Sequence, residues 1–267
     1  MEYIHNTEQF QFHNTVVALG KFDGMHKGHQ LIFDELIQYK QLGYQAAVFS
    51  FDRPPLNMLK HKHMRVIYTT NEKIKLLARR GIDIYIEHPF TDEFSHLSPE
   101  DFVIKVLLEK TGMKVLVVGD DCGFGYKRQG NVELLERMSK EYDFKLIVIP
   151  KLELEGEIVS STRIRHLLSE GKVEEANRLM EDPFMICGSV VHGNHMGAEV
   201  LQMPTANQIP LEDKLLPPNG VYVSRIHYKM KRITELVMLS KATIEGKKHM
   251  GVETYILDFH RISIIKK

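Results

Sequence analysis

Five short apolar runs, TVVALG, YQAAVFSF, IDIYIE, KVLVVG and FKLIVIP, alternate with segments of helical period between Thr15 and about Tyr142. Each run is apolar nearly throughout instead of at every second position, which marks strands covered on both faces. The intervening segments HQLIFDELIQYKQLG, NEKIKLLARRG and SPEDFVIKVLLEKTG read as helices. The first two close on a glycine suited to a helix C-cap, and the third opens with Ser98 as N-cap and Pro99 at the first helical position. This alternation predicts an α/β fold with a parallel, doubly wound sheet, whose ligands sit beyond the carboxyl ends of the strands.

Two further helical segments, SSTRIRHLLSEG and KVEEANRLM, follow the last of these strands. After Asp182-Pro183 the pattern changes to strand-like runs, ICGSVVHG, GVYVSRIHY, ITELVMLS and VETYILDF, joined by turns rich in glycine, proline and asparagine. The expectation is two domains, 1–182 and 183–267, the second a small β domain.

The composition bounds the function. With 267 residues, 43% of them hydrophobic, the chain has material for one large or two modest domains. Lysine plus arginine equals aspartate plus glutamate at 35 each, so no net field gathers nucleic acid or an anionic membrane, and any phosphate binding must be local. Cys122 and Cys187 lack paired-ligand spacing, which argues against a disulfide scaffold or structural zinc and fits a reducing cytoplasm. The N-terminal MEYIHNTEQFQFHN is not a secretory signal, and no window reaches the roughly 20 apolar residues a membrane span needs.

The stretch GKFDGMHKGHQ joins the first strand to the first helix. Gly20, Gly24 and Gly28 let the backbone approach a ligand and adopt positive φ where needed. A helix beginning near His29 presents free N–H groups and a partial positive charge to an anion. His26 and His29, three residues apart, share one side of that helix and could both donate to one phosphate. By spacing alone, a plain glycine turn with two solvated histidines fits equally well.

The stretch resembles the G-x-F-D-G-x-H-x-G-H signature of the FMN adenylyltransferase module in bacterial bifunctional riboflavin kinase/FAD synthetases, a Rossmann-like nucleotidyltransferase domain. TTNEKIKLLARRGID, PFTDEFSHLSPEDFV, VVGDDCGFGYKRQGN and IVSSTRIRHLLSEGKVEEANRLM resemble further family elements in the same order. Five ordered matches from Gly20 to Met180 make the resemblance specific. It implies that His26 and His29 contact the ATP phosphates, with Asp23 ordering a loop that also includes Gly20, Phe22, Gly24 and Gly28. Asp121 would lie near the bound nucleotide or metal. Ser161, Thr162 and Arg165 would form a second phosphate clamp, although SSTRIR on its own also reads as an ordinary N-cap with arginines on a wet face. One departure stands out: Cys122 replaces the family's aromatic in V-G-x-D-F, and Gly123 stands at the next, basic position. Both would border the flavin or adenine pocket, and Cys122 reads as a small apolar residue, not a reactive thiol.

The C-terminal part resembles the riboflavin kinase module of the same enzymes, a small β-barrel. Thr205 and Asn207 match the family's threonine and asparagine, which would hold Mg²⁺ and ATP phosphates if the site works. NGVY (Asn219 to Tyr222) matches, and Glu253 takes the position of the base that activates the ribityl hydroxyl. Other elements depart. The arginine-leucine-glycine part of the family's G-R-x-L-G-x-P is here GAEVLQMP, with Ala198 and Glu199 beside Gly197 and Gln202 in place of a glycine whose backbone should approach phosphate. LSKAT (Leu239 to Thr243) replaces N-I-G-x-(R)-P-T, and the chain ends at HRISIIKK, before the family's Y-G-x-x-(L/I) segment and flavin-covering helix. The expectation is a truncated, vestigial kinase domain of lost or weak activity.

Together these imply a cytoplasmic enzyme that transfers AMP from ATP to FMN with Mg²⁺, forming FAD and releasing pyrophosphate. A fully bifunctional enzyme and a flavin-binding regulatory protein are the alternatives. The V-G-x-D and S-S-T segments disfavour phosphopantetheine or nicotinamide mononucleotide as substrate.

Overall fold

A computed structural model describes residues 1–52, 65–191, 205–228, 231–244 and 247–256, the backbone alone for 205–206, 226–228, 231–244, 247–250 and 255–256. Its larger sheet has six strands: β1 (Glu2–His5), β2 (Thr15–Leu19), β3 (Gln45–Phe51), β4 (Ile84–His88), β5 (Met113–Gly119) and β6 (Lys145–Ile149). They run in the order β1-β4-β3-β2-β5-β6 with every pair parallel. The five expected strands are all present. β1, at the edge, was not expected: EYIH is exposed or half-buried at every position and offers no apolar run to read.

The helices are α1 (Lys27–Gln41), α2 (Thr70–Arg79), α3 (Asp92–Ser95), α4 (Pro99–Asp101, continued as π-helical turns over Phe102–Lys110), α5 (Val132–Glu141), α6 (Ser161–Ser169) and α7 (Val173–Leu179). Ser98 caps α4 as expected, accepting from the Asp101 N–H at 3.0 Å. Gly43 and Gly81, just past α1 and α2, take φ of 95° and 84°, the left-handed values that favour glycine. Thr69 and Glu72 form a capping box at the start of α2. The expected start of α1 near His29 is corrected: His26 is the N-cap and the helix begins at Lys27.

Side chains of β2 alternate between two apolar layers. Val16 and Ala18 pack with Phe33 and Leu36 of α1, whereas Val17 and Leu19 pack with Phe102, Leu107 and Leu135 on the other face. The chain passes from β2 to β3 on one side, while β5 flanks β2 on the other. At that reversal the loops leaving β2 and β5 run to helices on opposite faces of the sheet, α1 and α5, and in such sheets the crevice between them is the preferred ligand position.

A second, antiparallel sheet contains β9 (Val190–Val191), β10 (Thr205–Gln208), β11 (Gly220–Tyr228), β12 (Lys231–Ile244) and β13 (Lys247–Ile256), in the order β11-β12-β13-β10-β9. A small hairpin, β7 (Glu153–Leu154) with β8 (Glu157–Ile158), precedes α6. The polar TANQ of β10 gives no strand signal, and only its pairing with β9 and β13 makes it one. The fold is thus α/β with a second domain of antiparallel strands.

Candidate active site

The loop from Gly20 to Met25 leaves β2 at the crevice and turns into α1. Its tight geometry comes from an unexpected source, since Phe22 and Met25 hold positive φ, 48° and 40°, whereas Gly20, Gly24 and Gly28 do not. The glycines serve close approach instead. A Cβ on Gly20 would meet the Phe22 ring at 2.8 Å, one on Gly24 would lie 3.4 Å from Ser161 Oγ, and one on Gly28 would lie 3.2 Å from His26 Nδ1. Phe22 was also expected among the phosphate-binding residues. The residue is 3% exposed, and its ring packs against Phe33 and the edge of His29.

His26 and His29 stand together, their rings stacked 3.6 Å apart at 19°. His26 Nδ1 accepts from the His29 backbone N–H at 3.3 Å, so the neutral ring carries its proton on Nε2. Burial, partly offset by the charge of Asp121, lowers His26 to about 4. Burial and the neighbouring His26 hold His29 well below the usual histidine range. Both rings are therefore neutral donors near pH 7, not cations. His29 Nδ1 is buried without a hydrogen-bond partner among the described residues.

Asp23 ties this loop to two other segments. Its Oδ1 accepts from the N–H groups of Ile67 at 2.9 Å and Tyr68 at 3.4 Å, and its Oδ2 pairs with the Arg165 guanidinium. Arg165 also donates from Nε to the Arg65 carbonyl at 3.5 Å. Ser160, not Ser161, caps α6, accepting from the Arg163 N–H at 3.2 Å. Ser161 and Thr162 therefore sit in the first turn, with Ser161 facing Gly24.

Asp121 follows β5 across the crevice, exposed, with Lys151 Nζ 3.3 Å from its carboxylate. Cys122 is half-buried against the apolar layer, and burial pushes its thiol up to about 11, as befits an inert residue. Two cations escaped the sequence reading. Lys21 is held below the usual lysine range by burial and then by the charges of Arg128 and Arg165, so three positive side chains converge on the loop. Arg128 lies against Gly123, where a Cβ would fall 2.7 to 2.9 Å from the guanidinium. Lys127 and Arg128, both left-handed at φ 51° and 60°, form the turn that brings it there. Both cations lie within the family motifs, but spacing alone gives no sign that their segments meet.

In the second sheet, Asn207 of β10 is opposite Glu253 of β13 in register. Asn207 is buried and Glu253 half-buried. Thr205 pairs with Tyr255, and only its backbone is described. Gly197, Ala198, Glu199, Gln202 and the HRISIIKK segment lie outside the described residues; Leu239 to Thr243 is described as β12 backbone.

Residues 8–163 match the family model for FAD synthetase, and residues 180–266 match the one for riboflavin kinase. A bifunctional riboflavin kinase/FMN adenylyltransferase of Buchnera aphidicola subsp. Schizaphis graminum is 35% identical over 96% of this chain and 83% of its own length. The protein of the same name from Listeria monocytogenes is 35% identical over 97% of this chain and 84% of its own. A crystal structure of a macrolide-efflux protein from Streptococcus pneumoniae superposes with a TM-score of 0.84 at 29% identity, covering 97% of this chain and 85% of that one. No helix among the described residues is long and apolar enough to cross a membrane.

Proposed function

The chain belongs to the bifunctional riboflavin kinase/FMN adenylyltransferase family, and on that premise we propose that it transfers AMP from ATP to FMN, forming FAD and releasing pyrophosphate. The observation that carries this reading is the meeting, at the sheet's reversal point, of the stacked His26 and His29, the start of α1 and the Ser161 end of α6. An oxygen of the FMN phosphate attacks the α-phosphorus of ATP, and the bond to the leaving pyrophosphate breaks. The nucleophile is already an anion, so the site needs donors and positioning more than a base.

In this reading His26 Nε2–H and His29 donate to the triphosphate, and the backbone of Gly20 to Gly28 cradles it. Ser161 and Thr162 contact it from the second side, and Lys21 and Arg128 supply charge. Arg165 is shared between Asp23 and the phosphates. No group of three or more histidine, cysteine, aspartate or glutamate side chains among the described residues could hold a metal. Mg²⁺ would enter as the companion of the triphosphate, with Asp121 the carboxylate that would face it. When bound, it would neutralise charge on the phosphates.

We assign residues 1–182 to adenylyl transfer and 183–267 to a kinase-like domain of lost or weak activity, in a cytoplasmic protein. A second reading, full bifunctionality, is favoured by the cross-strand pair of Asn207 and Glu253. Chromatography after incubation with FMN, ATP and Mg²⁺ tests the main reading. FAD and pyrophosphate are expected, and retention of ligand without conversion would leave a flavin-binding regulator.

A further inference from the structure

Lysine is rarely buried without a partner, yet the Lys214 side chain is 1% exposed. Its ammonium donates to Glu72 Oε2 at 2.6 Å, to the Ile67 carbonyl at 2.6 Å and to the Met185 carbonyl at 2.8 Å, using all three N–H bonds. The rings of Tyr68 and Phe184 flank it, 5.2 and 4.5 Å from their centroids. Glu72 is equally engaged, accepting from the N–H groups of Thr69 and Cys187, each at 2.8 Å. Beside this pair, the Val66 N–H donates to the Asp213 carbonyl and the Leu215 N–H to the Val66 carbonyl, both at 2.7 Å.

The segment from Arg65 to Tyr68 is thus fastened along two edges. One faces 213–215, which lead into the second sheet. The other faces the candidate site: Ile67 and Tyr68 donate to Asp23, and Arg65 accepts from Arg165. Ile67 spans both, with its N–H on Asp23 and its carbonyl on Lys214. A buried ion pair adds little stability over an apolar pair of similar size, so geometry is the better account of its presence.

We propose that Lys214 is a positioning residue for adenylyl transfer: it braces the Arg65 to Tyr68 segment, which fixes Asp23 and through it the loop Gly20 to Met25 and Arg165. The inference rests on the adenylyl-transfer reading for its consequence, but the brace itself has a separate readout. Lys214→Met alone strands the Glu72 carboxylate in the interior and risks unfolding. The double variant Glu72→Gln/Lys214→Met removes both charges together. In the full chain, a folded double variant, judged by a cooperative thermal transition, is expected to raise the KM for ATP by about 10-fold or more while kcat changes less, within the roughly hundredfold that a 1 Å misplacement can cost. Amide hydrogen exchange across Gly20 to Met25 should quicken by about 10-fold, the sign of a local opening made easier. A folded double variant with either readout at its wild-type value overturns the proposal. Should the wild type form no FAD, the adenylyl-transfer reading falls, and the exchange measurement decides the brace alone. If the double variant does not fold, Lys214→Arg, which keeps the charge but changes its reach, is measured in the same two ways, and a wild-type value in either overturns the proposal equally.

Discussion

His26 is at once the cap of α1, half of a stacked imidazole pair and a buried neutral base. With its pKa at about 4 in the folded chain against 6.5 unfolded, the unfolded state binds the extra proton between those values. Its contribution is complete above about pH 6.5 and is lost as pH falls toward 4, a difference of about 3 kcal/mol. Urea unfolding from pH 7.5 to 4.5 should show this decline, and His26→Asn, which keeps a capping acceptor, should make it shallower, leaving the part that His29 contributes. His29→Ala should lower FAD formation by about two to three orders of magnitude, the scale of one lost transition-state donor, in a steady-state assay. Near-normal turnover in that folded variant would show that the imidazole does not serve the phosphates. Glu253→Ala should leave FAD formation unchanged. At position 123 the Arg128 guanidinium fills the space a side chain would enter.

At the scale of elements, Ser160 and Ser161 divide two jobs that the SST motif presents as one. Ser160→Ala should cost about 1 kcal/mol in urea unfolding, the usual worth of an N-cap. Ser161→Ala should leave stability within about 0.5 kcal/mol and raise the KM for ATP instead. The four central strands, β2 to β5, were legible because both faces of each are covered and the residues must be apolar, and the edge strand β6 because KLIVI is itself an apolar run. β1 and β10 were not, since one is an exposed edge and the other is defined by its neighbours. The motifs located His26, His29, Asp23 and Arg165 along the chain. They could not show that Asp23 would pair with Arg165, that Arg128 would approach Lys21, or that Lys214 would reach Glu72. Each of those is a meeting of segments distant in sequence, and local periodicity carries no record of it. Of the two roles expected for Gly20, Gly24 and Gly28, positive φ is absent, and what each closely approaches depends on what lies opposite, as Ser161 does to Gly24.

For the whole molecule, the two sheets raise the question of one activity or two. Incubation with riboflavin, ATP and Mg²⁺ should yield FMN at least about 100-fold more slowly than FAD forms from FMN, since a phosphate clamp displaced by about 1 Å costs that much. FMN production at a comparable rate would establish the bifunctional reading. The charge distribution sets another property of the protein. Thirty-five basic and thirty-five acidic side chains cancel at a distance, yet Lys21, Arg128 and Arg165 gather at one loop. Beyond a screening length of roughly 8 Å an approaching nucleotide meets almost no pull. Capture is then a matter of chance arrival followed by firm grip: diluting the buffer should slow escape of the ligand while hardly hastening its entry.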